Sequence, residues 1–314
     1  MQYSDNQILI DTHKRISPFI HKTPVLTSSQ INNLVGADVY FKCENFQRMG
    51  AFKMRGATNA ILKLSDKQRG SGVVTHSSGN FAQALSLAAK SLNVTAYIVM
   101  PNNAPQVKKD AVKGYEGIIT ECEPTLESRE RESKLISQQT GATFIHPSND
   151  IDVIHGQGTA AIELLNDYPK LDAIISPVGG GGLIAGTALA AHYFGHNCEV
   201  VGAEPFEADD AYRSLISGKI ETNVTTNTIA DGLRTQLGSI NFPIIKRHIH
   251  NIIRVEEVEI VDAMKLIFER LKIVVEPSSA IVLAAIIREK ELFKNKKVGL
   301  IISGGNVDIT QLPF

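Results

Sequence analysis

Cysteine is scarce in this chain of 314 residues: its three thiols, Cys43, Cys122 and Cys198, lie far apart and form no CxxC pair. That excludes a disulfide scaffold and a CxxC metal or redox motif, and it suits free thiols in a reducing compartment, the cytoplasm. Blocks of like charge are missing, and the net charge is −1. The concentrated positive field of a nucleic-acid surface is therefore not available, nor is a polybasic arm. Long hydrophobic runs are absent as well. The opening stretch MQYSDNQILIDTHKRI is too polar for a secretory segment, and the apolar run at 280–287 is far too short to cross a bilayer. No internal repeat or low-complexity linker breaks the chain. What is left is an ordinary globular composition, 43% hydrophobic and 21% charged, long enough for one large domain or two moderate ones.

Short β-branched runs alternate with longer helical patterns. Strands are predicted at 38–42, 72–75, 96–100, 117–120, 173–177, 199–202 and 298–302, and helices at 81–92, 126–140, 158–166 and 258–271. Such alternation predicts an α/β protein with open parallel sheets covered by helices. Residues 72–149 read as a small unit of their own. Residues 1–71 and 150–314 then form a larger one, with the chemistry in strand-to-helix loops facing the cleft between them.

Three loops carry chemical signals. In SPVGGGGLIAG (176–186), four glycines stand between a strand and a helix, where converging backbone N–H groups make an anion cup suited to phosphate. The same run fits G-x-G-x-x-A, with Glu204 near the offset of a ribose-binding acid, so a NAD-dependent dehydrogenase is a second reading. In THSSGNFAQA (75–84), Ser77, Ser78 and Asn80 supply more donors at a helix start than capping needs, which points to a carboxylate. In LIISGGNVD (300–308), a strand delivers Ser303 to the same kind of edge; alone this is equally an ordinary turn.

A fourth segment, GAFKMRGA (50–57), sets Lys53 beside Phe52 among small residues. By itself a lysine there is a solvated charge. A desolvated lysine becomes a nucleophile, and a lysine, an aryl neighbour and a phosphate cup together describe pyridoxal phosphate binding. Gly50, Ala51, Gly56 and Ala57 would then let the backbone and Phe52 close around a flat ring.

In order along the chain, KCENFQRMGAFKMRGA, SSGN, IHGQG, GGGGL, EPFEADD, ADGLRT, EPSSA and SGGNVD resemble the fold type II pyridoxal-phosphate enzymes, the serine racemase and serine/threonine dehydratase family with its 3-hydroxyaspartate dehydratase branch. The resemblance spans essentially the whole chain. It implies a fold similar to the β subunit of tryptophan synthase, a homodimer, and a small amino-acid substrate. Lys53 would hold pyridoxal 5'-phosphate covalently and later take the substrate's Cα proton. Phe52 would lie beside the ring, Asn80 would reach its 3' oxygen, and Ser303 its nitrogen. Gly179, Gly180, Gly181, Gly182 and Leu183 would hold the phosphate. Ser77, Ser78 and Asn80 would meet the substrate, with Ser78 opposite Lys53 as the acid for racemisation.

Arg129 would hold a second carboxylate, or pair with Glu127 or Glu130 on its helix. EPFEADD resembles a divalent-cation site in which Glu204, Asp210 and the carbonyl of Ala208 bind Mg²⁺ or Ca²⁺; without the resemblance it is equally a solvated acidic loop. The expected activity is β-elimination of water from L-serine or L-threonine, followed by hydrolysis to a 2-oxo acid and ammonia, with serine racemisation beside it. A 3-hydroxyaspartate ammonia-lyase is the alternative within the family. A non-enzymatic binding protein is disfavoured by the intact Lys53 and Ser78.

Overall fold

The computed structural model describes residues 5–314 and builds them around two sheets. The strands are β1 (Val25–Leu26), β2 (Asp38–Cys43), β3 (Val73–His76), β4 (Ala96–Pro101), β5 (Ile118–Cys122), β6 (Thr143–Phe144), β7 (Ala173–Pro177), β8 (Glu199–Pro205), β9 (Asn251–Val255) and β10 (Lys297–Ile302). The larger sheet runs β1-β2-β10-β7-β8-β9 and the smaller β5-β4-β3-β6. Every pairing is parallel except β1 with β2. β3 and β7 are buried along their whole length, as strands covered by helices on both faces must be.

Three strands escape the sequence pattern. β1 and β6 are only two residues long and exist through pairing with β2 and β3, not through any periodicity of their own. β9 is a short apolar run that completes the far edge of the larger sheet. The helix Ile151–Asp167 starts well before the predicted 158. Its cap is Asp150, whose carboxylate accepts from the N–H groups of Asp152 and Val153.

The glycines inside that helix serve packing. A Cβ at Gly156 would stand 2.6 Å from the carbonyl oxygen of Arg55, and one at Gly158 2.6 Å from that of Gly186. Two neighbouring helices, Lys53–Lys63 and Gly182–Phe194, can therefore press their backbones against this one. Gly56 accordingly faces Gln157 and the Val153 carbonyl rather than a ring. The hydrophobic core does not divide at residue 71: Ile16, Met54, Ala57 and Ile61 pack in one cluster with Val73, Leu85 and Ile98 of the smaller sheet and its helix.

Below this junction lies a buried ionic cluster. Arg55 donates from Nε and Nη2 to Glu44 (2.7 and 2.8 Å) and from Nη1 and Nη2 to Glu163 (both 2.8 Å). Lys42 Nζ reaches Glu163 at 2.6 Å and the Thr23 carbonyl at 2.8 Å. Two cations thus face two anions. Burial opposes the charge on Glu163, yet Arg55 and Lys42 outweigh it and hold the carboxyl below its usual range.

Removing one partner from such a cluster leaves a charge buried without compensation. Arg55→Met is expected to lower the unfolding free energy by about 3–5 kcal/mol. Breaking the exposed pair Lys22–Asp167 with Lys22→Ala should cost under about 1 kcal/mol. Urea midpoints compare the two; equal midpoints would show that the cluster does not hold the junction.

Candidate active site

Four strand-to-helix or strand-to-loop connections converge at the carboxyl ends of the parallel strands, where ligands enter such sheets. β3 leads into Ser77, Ser78 and Gly79 and then the helix Asn80–Ser91. β7 leads into the glycine run and the helix Gly182–Phe194. β10 leads into Ser303 and the turn to Asn306. A bridge from Ala51 to Gly304 brings the lysine segment to the same place.

Lys53 opens its helix, with its stem facing the cleft and its amine set among apolar groups. Nζ lies 5.0 Å from the Phe52 ring centroid and 5.6 Å from that of Phe81, and it donates to the Pro147 carbonyl at 2.8 Å. Burial pulls its ammonium down to about 8, against the opposite pull of the Glu276 carboxylate. An amine in that range is already partly neutral at physiological pH.

The glycine run is a cup with close walls. Gly181 has φ +80°, a left-handed conformation, and a Cβ there would stand 2.6 Å from Leu237 Cδ2. Ser148 and Asn241 brace the rim: Asn241 Nδ2 donates to the carbonyls of Gly180 (2.8 Å) and Ser148 (3.1 Å). Gly179 to Gly182 are all buried, and Leu183 behind them joins the core of the larger sheet. The N–H groups at the start of the helix Gly182–Phe194 have no helical partner and are concentrated here.

Ser77 and Ser78 are half-buried, and Ser77 Oγ accepts from the Gly79 N–H at 3.3 Å. Asn80 Nδ2 stands 3.0 Å from both oxygens of Glu276. Ser303 is buried, its Oγ 2.9 Å from Ser279 Oγ. Arg129 Nε donates to the Thr125 carbonyl, and its charge acts on His76, just before Ser77. His146 Nδ1 accepts from the N–H groups of Ser148 and Asn149, so its proton sits on Nε2; burial, His76 and Lys53 push its pKa down to about 4.

Glu204 and Asp210 are both buried. Glu204 turns inward and accepts from the N–H groups of Ala211 and Tyr212. It is not aimed at the glycine run, so the ribose contact required by the dehydrogenase reading is missing. Burial and the neighbouring Asp210 charge raise the Glu204 pKa well above its usual range. Asp210 Oδ2 accepts from the Leu237 N–H, while its Oδ1 is buried without a hydrogen-bond partner; Asn223 Oδ1 accepts from the Asp210 backbone N–H at 3.1 Å. Ala208 is buried in the short turn Phe206–Ala208 beside them. Among the described residues no three His, Cys, Asp or Glu side chains group as a metal site; the two carboxylates stand as a pair.

Sequence reasoning assigns no role to Glu276, Asn306, Ser279, Ser148, Asn241 or His146. Glu276, Ser279 and Asn306 sit inside recognised segments, but their contacts cross the chain and leave no local pattern. Among the described residues no helix is long and apolar enough to cross a membrane.

A lysine amine of lowered basicity, an anion cup and a neutral serine around one cleft in parallel α/β sheets define a fold type II pyridoxal-phosphate enzyme. The chain belongs to that family: the model of the pyridoxal-phosphate dependent enzymes matches residues 16–304. It is 53% identical over 308 residues to the serine racemase of Dictyostelium discoideum, covering 96% of this chain and 94% of that protein. It is 49% identical over 306 residues to the beta-hydroxyaspartate dehydratase of Paracoccus denitrificans, covering 98% and 97%. The solved structure of maize serine racemase superposes with a TM-score of 0.96 at 47% identity, covering 99% of this chain and 96% of that one.

The lowered basicity of Lys53 has a direct chemical consequence. With a pKa of about 8, about 9% of the amine is neutral at pH 7, against under about 0.1% for an ordinary lysine. Labelling of Lys53 in the cofactor-free protein by an amine-directed reagent, followed by peptide mass spectrometry, should rise with a midpoint near pH 8. A midpoint near 10.5 would mean that the amine is solvated.

Proposed function

We propose that the protein is a pyridoxal-phosphate-dependent ammonia-lyase that converts a small β-hydroxy amino acid, L-serine or L-threonine, into a 2-oxo acid and ammonia, with serine racemisation as a companion activity. The observation that carries the reading is the Lys53 amine held at the Pro147 carbonyl, one residue before Ser148, which lies against Gly180 and Gly182 of the cup. Its relatives include serine racemases and a hydroxyaspartate dehydratase.

The residues present fit the cofactor. Phe52 and Phe81 give a flat apolar wall, the cup has room for an anion only because Cβ atoms are absent, and Lys53 is nucleophilic. When bound, the cofactor supplies an electron sink conjugated to the substrate's α-carbon. Lys53 Nζ would hold it, and the same amine would accept the substrate's Cα proton. Gly179, Gly180, Gly181, Gly182 and Leu183 bind the phosphate through backbone N–H groups at a helix N-terminus. Ser77 and Ser78 hold the substrate carboxylate. Ser303, paired with Ser279, offers a hydroxyl rather than a carboxylate to the ring nitrogen. A hydroxyl would not stabilise positive charge there as a carboxylate would, which would suit elimination of the β-hydroxyl. Ser78 Oγ delivers a proton from the opposite face when the product is the other enantiomer.

A second reading is a 3-hydroxyaspartate ammonia-lyase, in which Arg129 would meet the second carboxylate, as the family resemblance implies. Its cation acts on His76 at the start of the Ser77–Ser78 loop, where a substrate's second carboxylate would need compensation.

A divalent cation at Glu204, Asp210 and the Ala208 carbonyl completes the reading. Two adjacent buried carboxylates and an oxygen without a partner fit Mg²⁺ or Ca²⁺, which take oxygen ligands. The cation would relieve the burial of these two carboxylates and so serve stability. The small unit 72–149 closing over the substrate, and a homodimer, belong to the same proposal.

The purified protein with added pyridoxal phosphate should absorb in the visible, and Lys53→Ala should lose the covalent band. A protein that stays colourless defeats the reading. A panel of L-serine, D-serine, L-threonine and the 3-hydroxyaspartates, scored separately for 2-oxo acid and for inverted amino acid, separates the substrates. Turnover of hydroxyaspartate alone would select the second reading.

Chelation should lower the melting temperature, and Mg²⁺ or Ca²⁺ should restore it. A cation at 100 times its Kd contributes about 2.7 kcal/mol. An unchanged melting curve in metal-free buffer would remove the cation from the account.

A further inference from the structure

Glu276 occupies the N-cap position of the helix Pro277–Arg288, where a side chain ordinarily accepts from the first turn. It makes no such bond. Its buried carboxylate turns instead into the cleft, to Asn80 Nδ2, 196 positions earlier in the chain, at 3.0 Å from each oxygen. The two oxygens of one carboxylate subtend a narrow angle at that nitrogen, far less than the spread of the amide's two N–H bonds. One N–H therefore serves both oxygens, and the other stays available.

The opposite end of the same amide is held by Asn306. Its Nδ2 donates to the Met49 carbonyl and to Asn80 Oδ1, both at 2.9 Å. With both Asn306 hydrogens directed at acceptors, the end of Asn80 that faces Asn306 has to be its oxygen. Asn306 also helps to hold the Glu276 carboxyl down, against its burial. Gly50 makes room for it: at φ +76°, a Cβ there would stand 2.6 Å from Asn306 Oδ1. A Cβ at Gly304 would likewise meet Glu276 Oε1 at 2.9 Å.

We infer that Glu276 and Asn306 are positioning residues that clamp the Asn80 carboxamide at both ends, fixing its orientation and aiming its free N–H into the cleft at the bound cofactor. The inference rests on the pyridoxal-phosphate reading and on Asn80 meeting the cofactor. Glu276 also ties that contact to pH. Burial pushes its carboxyl up to about 7, the Asn80 N–H pulls it down, the Asp231 charge pushes it up and Lys108 pulls it down. Lys53 lies within electrostatic range of the same carboxylate. The ionised carboxylate accepts from Asn80 Nδ2 through both oxygens, whereas a protonated one carries a hydrogen on one of them and keeps a single free acceptor for it.

Glu276→Gln imposes the neutral arrangement permanently, because an amide can accept at only one of its two ends. Glu276→Gln and Asn306→Ala should each weaken pyridoxal phosphate binding by roughly tenfold or more, the size of a lost hydrogen bond to a charged group. The pH midpoint at which the bound cofactor's visible band changes should shift in Glu276→Gln. The melting temperature of the cofactor-free variants should stay close to that of the parent. Binding affinity and band titration equal to the parent's in both variants would overturn the clamp. So would a loss of affinity matched by an equal loss of cofactor-free stability, which assigns the residues to the fold. If the parent itself takes up no pyridoxal phosphate, the functional reading fails first; a parent that binds while the variants behave identically defeats the clamp alone.

Discussion

The guanidinium of Arg55 is enclosed by two carboxylates that arrive from distant parts of the chain, Glu44 just after β2 and Glu163 near the end of the helix Ile151–Asp167. Lys42 balances the second of them. A planar guanidinium serves two carboxylates through forked bonds only when both approach near its plane, so meeting this requirement fixes three segments against one another. Lys53 is two residues before Arg55, on the first turn of the same helix. Whatever holds Arg55 in place thereby holds the base of the reactive lysine. Such a cluster is costly to desolvate, and its use lies in permitting one arrangement rather than in adding stability.

The cleft inherits its character from that arrangement. Phe52, Phe81 and the Pro147 carbonyl surround the Lys53 amine, and loss of hydration lowers its basicity. The two sheets also touch across the mouth of the cleft, where Lys108 from the helix Gln106–Gly114 meets Asp231 at 2.6 Å. Both charges act on Glu276. The ionisable groups around Asn80 and Lys53 thus form one electrostatic unit drawn from both sheets.

Some of this site could be read directly from the chain and some could not. The glycine run, the Ser77–Ser78 loop and Ser303 are local strand-to-helix or strand-to-turn features, and local features leave local patterns. Lys53 needed the glycine cup for its meaning, because a lysine at a helix start looks the same whether it is wet or dry. Glu276 carries no local signal and is tied to Asn80 in the fold, since that partner lies 196 positions away. Gly56 looked like part of a ring pocket and is a helix contact, for the same reason. The dehydrogenase pattern arose because four glycines satisfy many spacings; the inward turn of Glu204 removes it.

By itself, then, the amino-acid sequence determined the alternation of strands and helices, the family, and the residue types available for chemistry, because each is written in short stretches whose spacing carries the information. Only the tertiary structure decided which charges are buried together, how far the basicity of Lys53 falls, and which end of the Asn80 amide faces the cleft. Those properties depend on desolvation and on distances between residues remote in the chain, and neither is a property of any short stretch of it.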